Sequence, residues 1–159
     1  MTMTARFVQT LISPLEGVSN SAWERFVKTL EVQLSSATSE SGGFGAYSMR
    51  PQRLIELGYA QKLPPTRTAA GRQIQECEFV LPWTKKRFCT DALVQFEAFS
   101  KSNVVYYRAL MNGELKKPKE VSLSGALAIL HKGGEGALRA WPKLFTDTRD
   151  FYERAKGIF

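Results

Sequence analysis

Apolar positions recur at helical spacing along much of the chain. Trp23, Phe26, Val27, Leu30 and Leu34 fall three or four residues apart and predict one apolar stripe on a helix running to about Leu34. Ser19, Asn20 or Ser21 supplies the side-chain oxygen that the exposed first-turn amides need. Residues 1–20 read as an irregular arm, broken by Ser13-Pro14 and Gly17. Ser35 to Gly45 is loop by composition. Pro51 opens a short helix over Gln52 to Leu57, and Gly58 suits its left-handed stop. Residues 61–76 are polar, with Pro64-Pro65 and Gly71, and predict an exposed loop or hairpin. Cys77 to Leu81 reads as a short strand ended by Pro82, and Thr84 to Phe88 as the start of a helix.

The second half is more strongly helical. Asp91 is placed to cap the longest helix, which runs to about Met111 and mixes core and flank positions at Leu93, Phe96, Phe99, Val104, Tyr107 and Leu110. Asn112-Gly113 stops it, and Pro118 to Val121 forms a linker. Ser122 or Ser124 caps another helix through Leu130. Gly133-Gly134 and Gly136 interrupt it before a helix resumes through Trp141, and Thr146 to Lys156 forms the last helix. The pattern predicts a mainly α chain with a short β or loop insertion: an arm over residues 1–20, then one domain over 21–159.

Composition narrows the function classes. The 159 residues are 43% hydrophobic and 23% charged, a globular balance rather than a disordered one. No apolar run is long enough for a membrane span. No leader pattern opens the chain, so the expectation is that the protein leaves the cell that made it, if at all, by lysis, within a particle or by another route. One His and two Cys give no recognisable metal-ligand spacing, and Cys77 and Cys89 read as reduced thiols; neither metal nor cofactor is expected. The net charge of +7 favours anionic partners, but the basic residues are dispersed. With no recognition helix, aromatic RNA platform or finger spacing, nucleic acid is not an expected partner.

Three segments together resemble a known family. Gly42-Gly43-Phe44-Gly45-Ala46-Tyr47-Ser48-Met49-Arg50-Pro51 is similar to the glycine turn of soluble lytic transglycosylases and phage-borne lysozyme-like domains. His131-Lys132-Gly133-Gly134-Glu135-Gly136-Ala137-Leu138-Arg139-Ala140-Trp141 resembles their late glycine motif, with Gly134, Gly136, Ala137, Arg139 and Trp141 matching. That family carries its catalytic glutamate near a helix end about a dozen residues before the turn, and Glu31 stands eleven residues before Gly42. Glu40, in the word Glu40-Ser41-Gly42-Gly43, is the second choice. The chain departs from the pattern at Val32 for Ser, Ser48 for Gln, and His131-Lys132 for Tyr-Asn.

The resemblance implies a lysozyme-like helical domain that cleaves peptidoglycan glycan strands by a single-glutamate transglycosylase or muramidase mechanism, in association with a phage. Glu31 would be the acid, with Gly45, Tyr47, Ser48, Met49, His131 and Lys132 against the substrate. Glu31 lies about 80° around the helix from Trp23, on the flank of the apolar stripe, where partial desolvation raises a carboxyl pKa as a general acid requires. The departures motivate an alternative: a catalytically inactive lysozyme-like piece of a phage tail or virion, with other particle proteins as partners. Simpler readings stand beside both. Glu31 is then a solvated helix residue, Glu40 a loop charge, His131 a satisfied core histidine, and glycines 42, 43 and 45 the residues of a tight turn.

Overall fold

A computed structural model of the protein describes residues 12–31, 43–64, 66–67, 69–71, 73–74 and 76–159. Among these the chain is mainly helical: α1 (Asn20–Leu30), α2 (Pro51–Glu56), α3 (Lys85–Thr90), α4 (Ala92–Met111), α5 (Leu123–Ala140) and α6 (Thr146–Ala155). Four short strands complete it: β1 (Ala60–Lys62), β2 (Thr66–Arg67), β3 (Gln73–Ile74) and β4 (Cys77–Phe79). The described residues fall into two compact units, one of residues 12–31 and 100–159 and one of residues 43–99, with α4 contributing to both.

In the first unit, residues 12–19 form turns and irregular chain, as the breakers predict. Ser19 caps α1, its Oγ accepting from the Ala22 N–H at 3.2 Å. Trp23, Phe26, Val27 and Leu30 are all buried, as the stripe requires. The helix is shorter than its apolar spacing suggests. It closes at Leu30, and Glu31 turns to extended backbone (ψ 127°) while its N–H still bonds the Val27 carbonyl at 3.1 Å. Leu34, the fifth residue of the stripe, lies outside the described residues. Helix α6 packs against both α5 and α1. A Cβ on Gly133 would lie 2.4 Å from the Ala137 Cβ of its own helix and 3.0 Å from the Thr148 Cγ2 of α6, so glycine avoids an overlap within α5 and fits closely against α6.

The chain's last residues are held at the start of α5. Of the two candidate caps, Ser122 performs the role: its Oγ accepts from Gly125 N–H at 3.1 Å and also from Gly157 N–H at 2.9 Å. Ser124, fully buried, donates to the Ala155 carbonyl at 2.6 Å and accepts from the N–H groups of Ile158 and Phe159 at 3.1 Å each. The Phe159 ring then meets Phe26 edge-on, with centroids 5.3 Å apart.

In the second unit, β1 and β4 pair antiparallel, Ala60 opposite Phe79, and α2 packs on both. The polar stretch between them folds back as a second antiparallel pair, β2 with β3, so the hairpin reading of residues 61–76 holds. Cys77 and Cys89 are free thiols, each half-buried, with burial pushing both thiol pKa values up.

Ser124→Ala removes one buried donor and strands the groups it served. It is expected to lower the unfolding free energy by about 1–3 kcal/mol, read as a fall in urea midpoint at constant slope. An unchanged midpoint would show that the serine is dispensable.

Candidate functional site

The glycine turn is a tight reversal within the second unit. Phe44 and Met49 form an isolated antiparallel bridge, their backbones exchanging hydrogen bonds at 2.8 and 2.9 Å. Between them Gly45 takes φ +75° and Ser48 φ 51°, so two of the four turn residues lie in the left-handed region. At position 45 the left-handed φ favours glycine, and a side chain would also have to push the Gln95 amide aside. A Cβ there would lie 2.3 Å from the Gln95 Oε1.

That oxygen is the turn's anchor. Gln95 Oε1, from α4, accepts the Ala46 N–H at 2.6 Å, and Gly45 contributes a backbone hydrogen bond to the Cys89 sulfur. Gln95 and Cys89 did not stand out as site-building residues in the sequence. One signal was available: Gln95 is a polar residue one helical turn before Phe99 on the apolar side of α4.

The side chains of the turn point inward. Tyr47 is completely buried and stacks on Phe99, with centroids 4.3 Å apart and planes at 19°. Met49 is buried, and so is Ser48, at the position where the family pattern has Gln. Three of the four turn residues assigned to substrate contact therefore use their side chains for packing. What the turn directs outward is partly exposed chain at Phe44, Ala46 and Arg50.

Glu31 and the late glycine motif both belong to the first unit. Glu31 is partly buried, and burial alone raises its carboxyl pKa above the ordinary 4.5. Glu40 lies outside the described residues. Helix α5 consists of two helical segments that meet at a kink, as the sequence predicts, with the first segment continuing past Leu130 up to the kink. The break is at Gly134 (φ 78°, ψ −173°), and the second segment ends at Ala140.

Just before the kink, His131 and Lys132 are buried, at 6% and 8% exposure. Both face Phe151 of α6. The imidazole lies nearly parallel to that ring at 6.0 Å, and the Lys132 Nζ stands 5.3 Å from its centroid. Arg154 joins them, its guanidinium 4.7 Å from the same ring and its Nη1 donating to the Thr29 carbonyl at 3.4 Å. This ties α6 to the last turn of α1, two residues before Glu31, where a cation complements the helix's negative end. Phe151 and Arg154 carry no motif and so did not stand out in the sequence. Among the described residues no group of three or more His, Cys, Asp or Glu is placed to hold a metal ion. No helix among them is long and apolar enough to cross a membrane.

Gly45→Ala should cost about 1–3 kcal/mol through the strained φ and the overlap with Gln95. In the Gly45→Ala/Gln95→Ala double variant the losses should be less than additive, since the second change removes the obstructing amide; strict additivity in urea unfolding would refute the overlap. For Glu31, a carboxyl with a raised native pKa holds its proton more tightly when folded. It therefore favours folding below 4.5, and that contribution is lost as pH rises through the native value. The stability of wild type relative to Glu31→Gln should accordingly fall as pH rises above 4.5 and level off once the native carboxyl has ionised. A difference that does not change with pH would contradict the burial.

No protein-family model matches the chain, and comparison with curated proteins and with solved structures gives no match either.

Proposed function

We propose that this chain is a lysozyme-like domain that cleaves peptidoglycan glycan strands, with Glu31 as its single acid and a phage as its setting. The observation that carries the reading is the Glu31 carboxyl: partly buried at the end of α1, with burial as the sole cause of its raised pKa. A carboxyl whose proton is held more tightly by burial is suited to hand that proton to the oxygen of a glycosidic bond. The bond between C1 of the muramyl sugar and that oxygen then breaks. The resulting carboxylate can take the proton of the sugar's own hydroxyl as that hydroxyl attacks C1, which closes an anhydro ring and restores the acid. No second carboxylate at a defined distance is needed, in contrast to a two-carboxylate hydrolysis.

The motif residues support this reading through their placement. Arg154 fastens the turn of α1 that precedes Glu31, and His131 and Lys132 stand immediately before the Gly134 kink, where the family pattern has its Tyr-Asn pair. Glu40 remains the alternative acid.

The burial of Tyr47, Ser48 and Met49 favours a second reading, an inactive lysozyme-like component of a phage tail or virion. In that case the glycine turn is kept for its packing and not for sugar contacts.

Zymography on purified peptidoglycan separates the two. Wild type is expected to clear the gel, Glu31→Gln to lose about 100-fold or more of that activity, and Glu40→Gln to retain it. Loss in Glu40→Gln alone would move the acid to position 40. No clearing by wild type, together with co-purification with virions, would leave the structural role.

A further inference from the structure

The second unit carries a rigid, amphipathic knuckle that neither the glycine turn nor Glu31 accounts for. Between β4 and α3 the chain turns through Leu81, Pro82 and Trp83. Leu81 is 89% exposed, the highest value among the exposed large hydrophobic residues described. Lys85, Lys86 and Arg87 come immediately after, all exposed.

The exposure of Leu81 does not come from a loose turn. Trp83 N–H bonds the Val80 carbonyl at 2.8 Å, and Val80 N–H bonds the Tyr59 carbonyl at 3.1 Å. Arg87 Nη1 donates to the Pro82 carbonyl at 2.9 Å while its guanidinium sits 4.8 Å from the Trp83 ring. Thr84 caps α3 by accepting from Arg87 N–H at 3.1 Å. On the inner side, Trp83 leans on Tyr59 at 5.9 Å, Tyr59 meets Phe88 at 5.5 Å, and Phe88 meets Phe79 at 5.3 Å. The aromatic base is packed, and the leucine is held outward above it.

A fixed apolar apex with three cations beside it matches one kind of surface. A soluble polyanion would satisfy Lys85, Lys86 and Arg87 but would leave Leu81 in water. The surface of an anionic bilayer accepts both, with phosphates for the cations and a headgroup–acyl boundary for the leucine and the tryptophan edge. The chain's net charge of +7 adds to the attraction. We propose that the Leu81–Arg87 knuckle docks this protein peripherally on an anionic lipid surface, with Leu81 entering the headgroup region. This contact is independent of Glu31 and of any glycan chemistry.

Vesicle flotation with the full chain tests it, using phosphatidylglycerol–phosphatidylcholine vesicles against pure phosphatidylcholine. Wild type should float with the mixed vesicles and stay behind with the neutral ones. Leu81→Ser should weaken that binding about tenfold or more, and Lys86→Glu about 25-fold, at roughly fivefold for each unit of charge changed. Phe145→Ser, at another exposed hydrophobic residue (75% exposed), should bind as wild type does. Circular dichroism on each variant checks that it is folded, and Lys86→Gln, at about fivefold, replaces any that is not. Failure of wild type to float, or flotation of Leu81→Ser equal to wild type, would overturn the proposal. So would equal loss in Phe145→Ser. Duplex DNA binding that is unaffected by Leu81→Ser and as tight as the vesicle binding would assign the cations to a soluble polyanion instead.

Discussion

The glycine turn depends on one close approach: the Gln95 amide lies where a side chain at position 45 would have to begin. Because that amide accepts the Ala46 N–H, α4 satisfies a backbone donor at the centre of the turn. The same approach aims the side chains beyond it. With residues 45 and 48 in left-handed conformations, Tyr47 and Met49 are carried into the interior, and the tyrosine ring lands flat on Phe99. A motif that resembles a sugar-lining turn is thus also a piece of core, and the two roles compete for the same side chains.

The helical half of the chain was legible because its periodicity is backed by caps. Ser19, Thr84, Asp91 and Ser122 all stand where the first-turn amides need an acceptor; Asp91 takes the N–H groups of Leu93 and Val94 at 3.1 and 3.2 Å. The Gly58 stop and the antiparallel pairing within residues 61–76 were equally readable from turn chemistry. The end of α1 was not, because apolar spacing at Leu30 and Leu34 says nothing about the extended backbone that Glu31 adopts between them. The interruption of α5 was legible in its glycines at 133, 134 and 136; which of them makes it was not, since only Gly134 leaves helical geometry.

The glycine turn and the late kink were legible in the sequence as local structure, and the residues that support them were not. Glu31 was chosen for a flank position on a helix reaching Leu34; it is partly buried, but its backbone is already extended, so the helical angle does not describe where it lies. The residues that position the pieces are Gln95, Cys89, Phe151 and Arg154, and they come from distant parts of the chain. Their roles exist only once helices pack, so spacing along the sequence holds no record of them. Phe151 shows this most plainly, as one ring that receives an imidazole, an ammonium and a guanidinium from two helices.

The serine clasp at the start of α5 has a consequence for how this unit comes apart. The amides of Gly157, Ile158 and Phe159 are engaged by Ser122 and Ser124, and the Phe159 ring is wedged against Phe26. Releasing this segment uncaps a buried helix and bares an aromatic face of α1 at the same time, so these amides meet solvent through cooperative opening of the unit and not through local fraying.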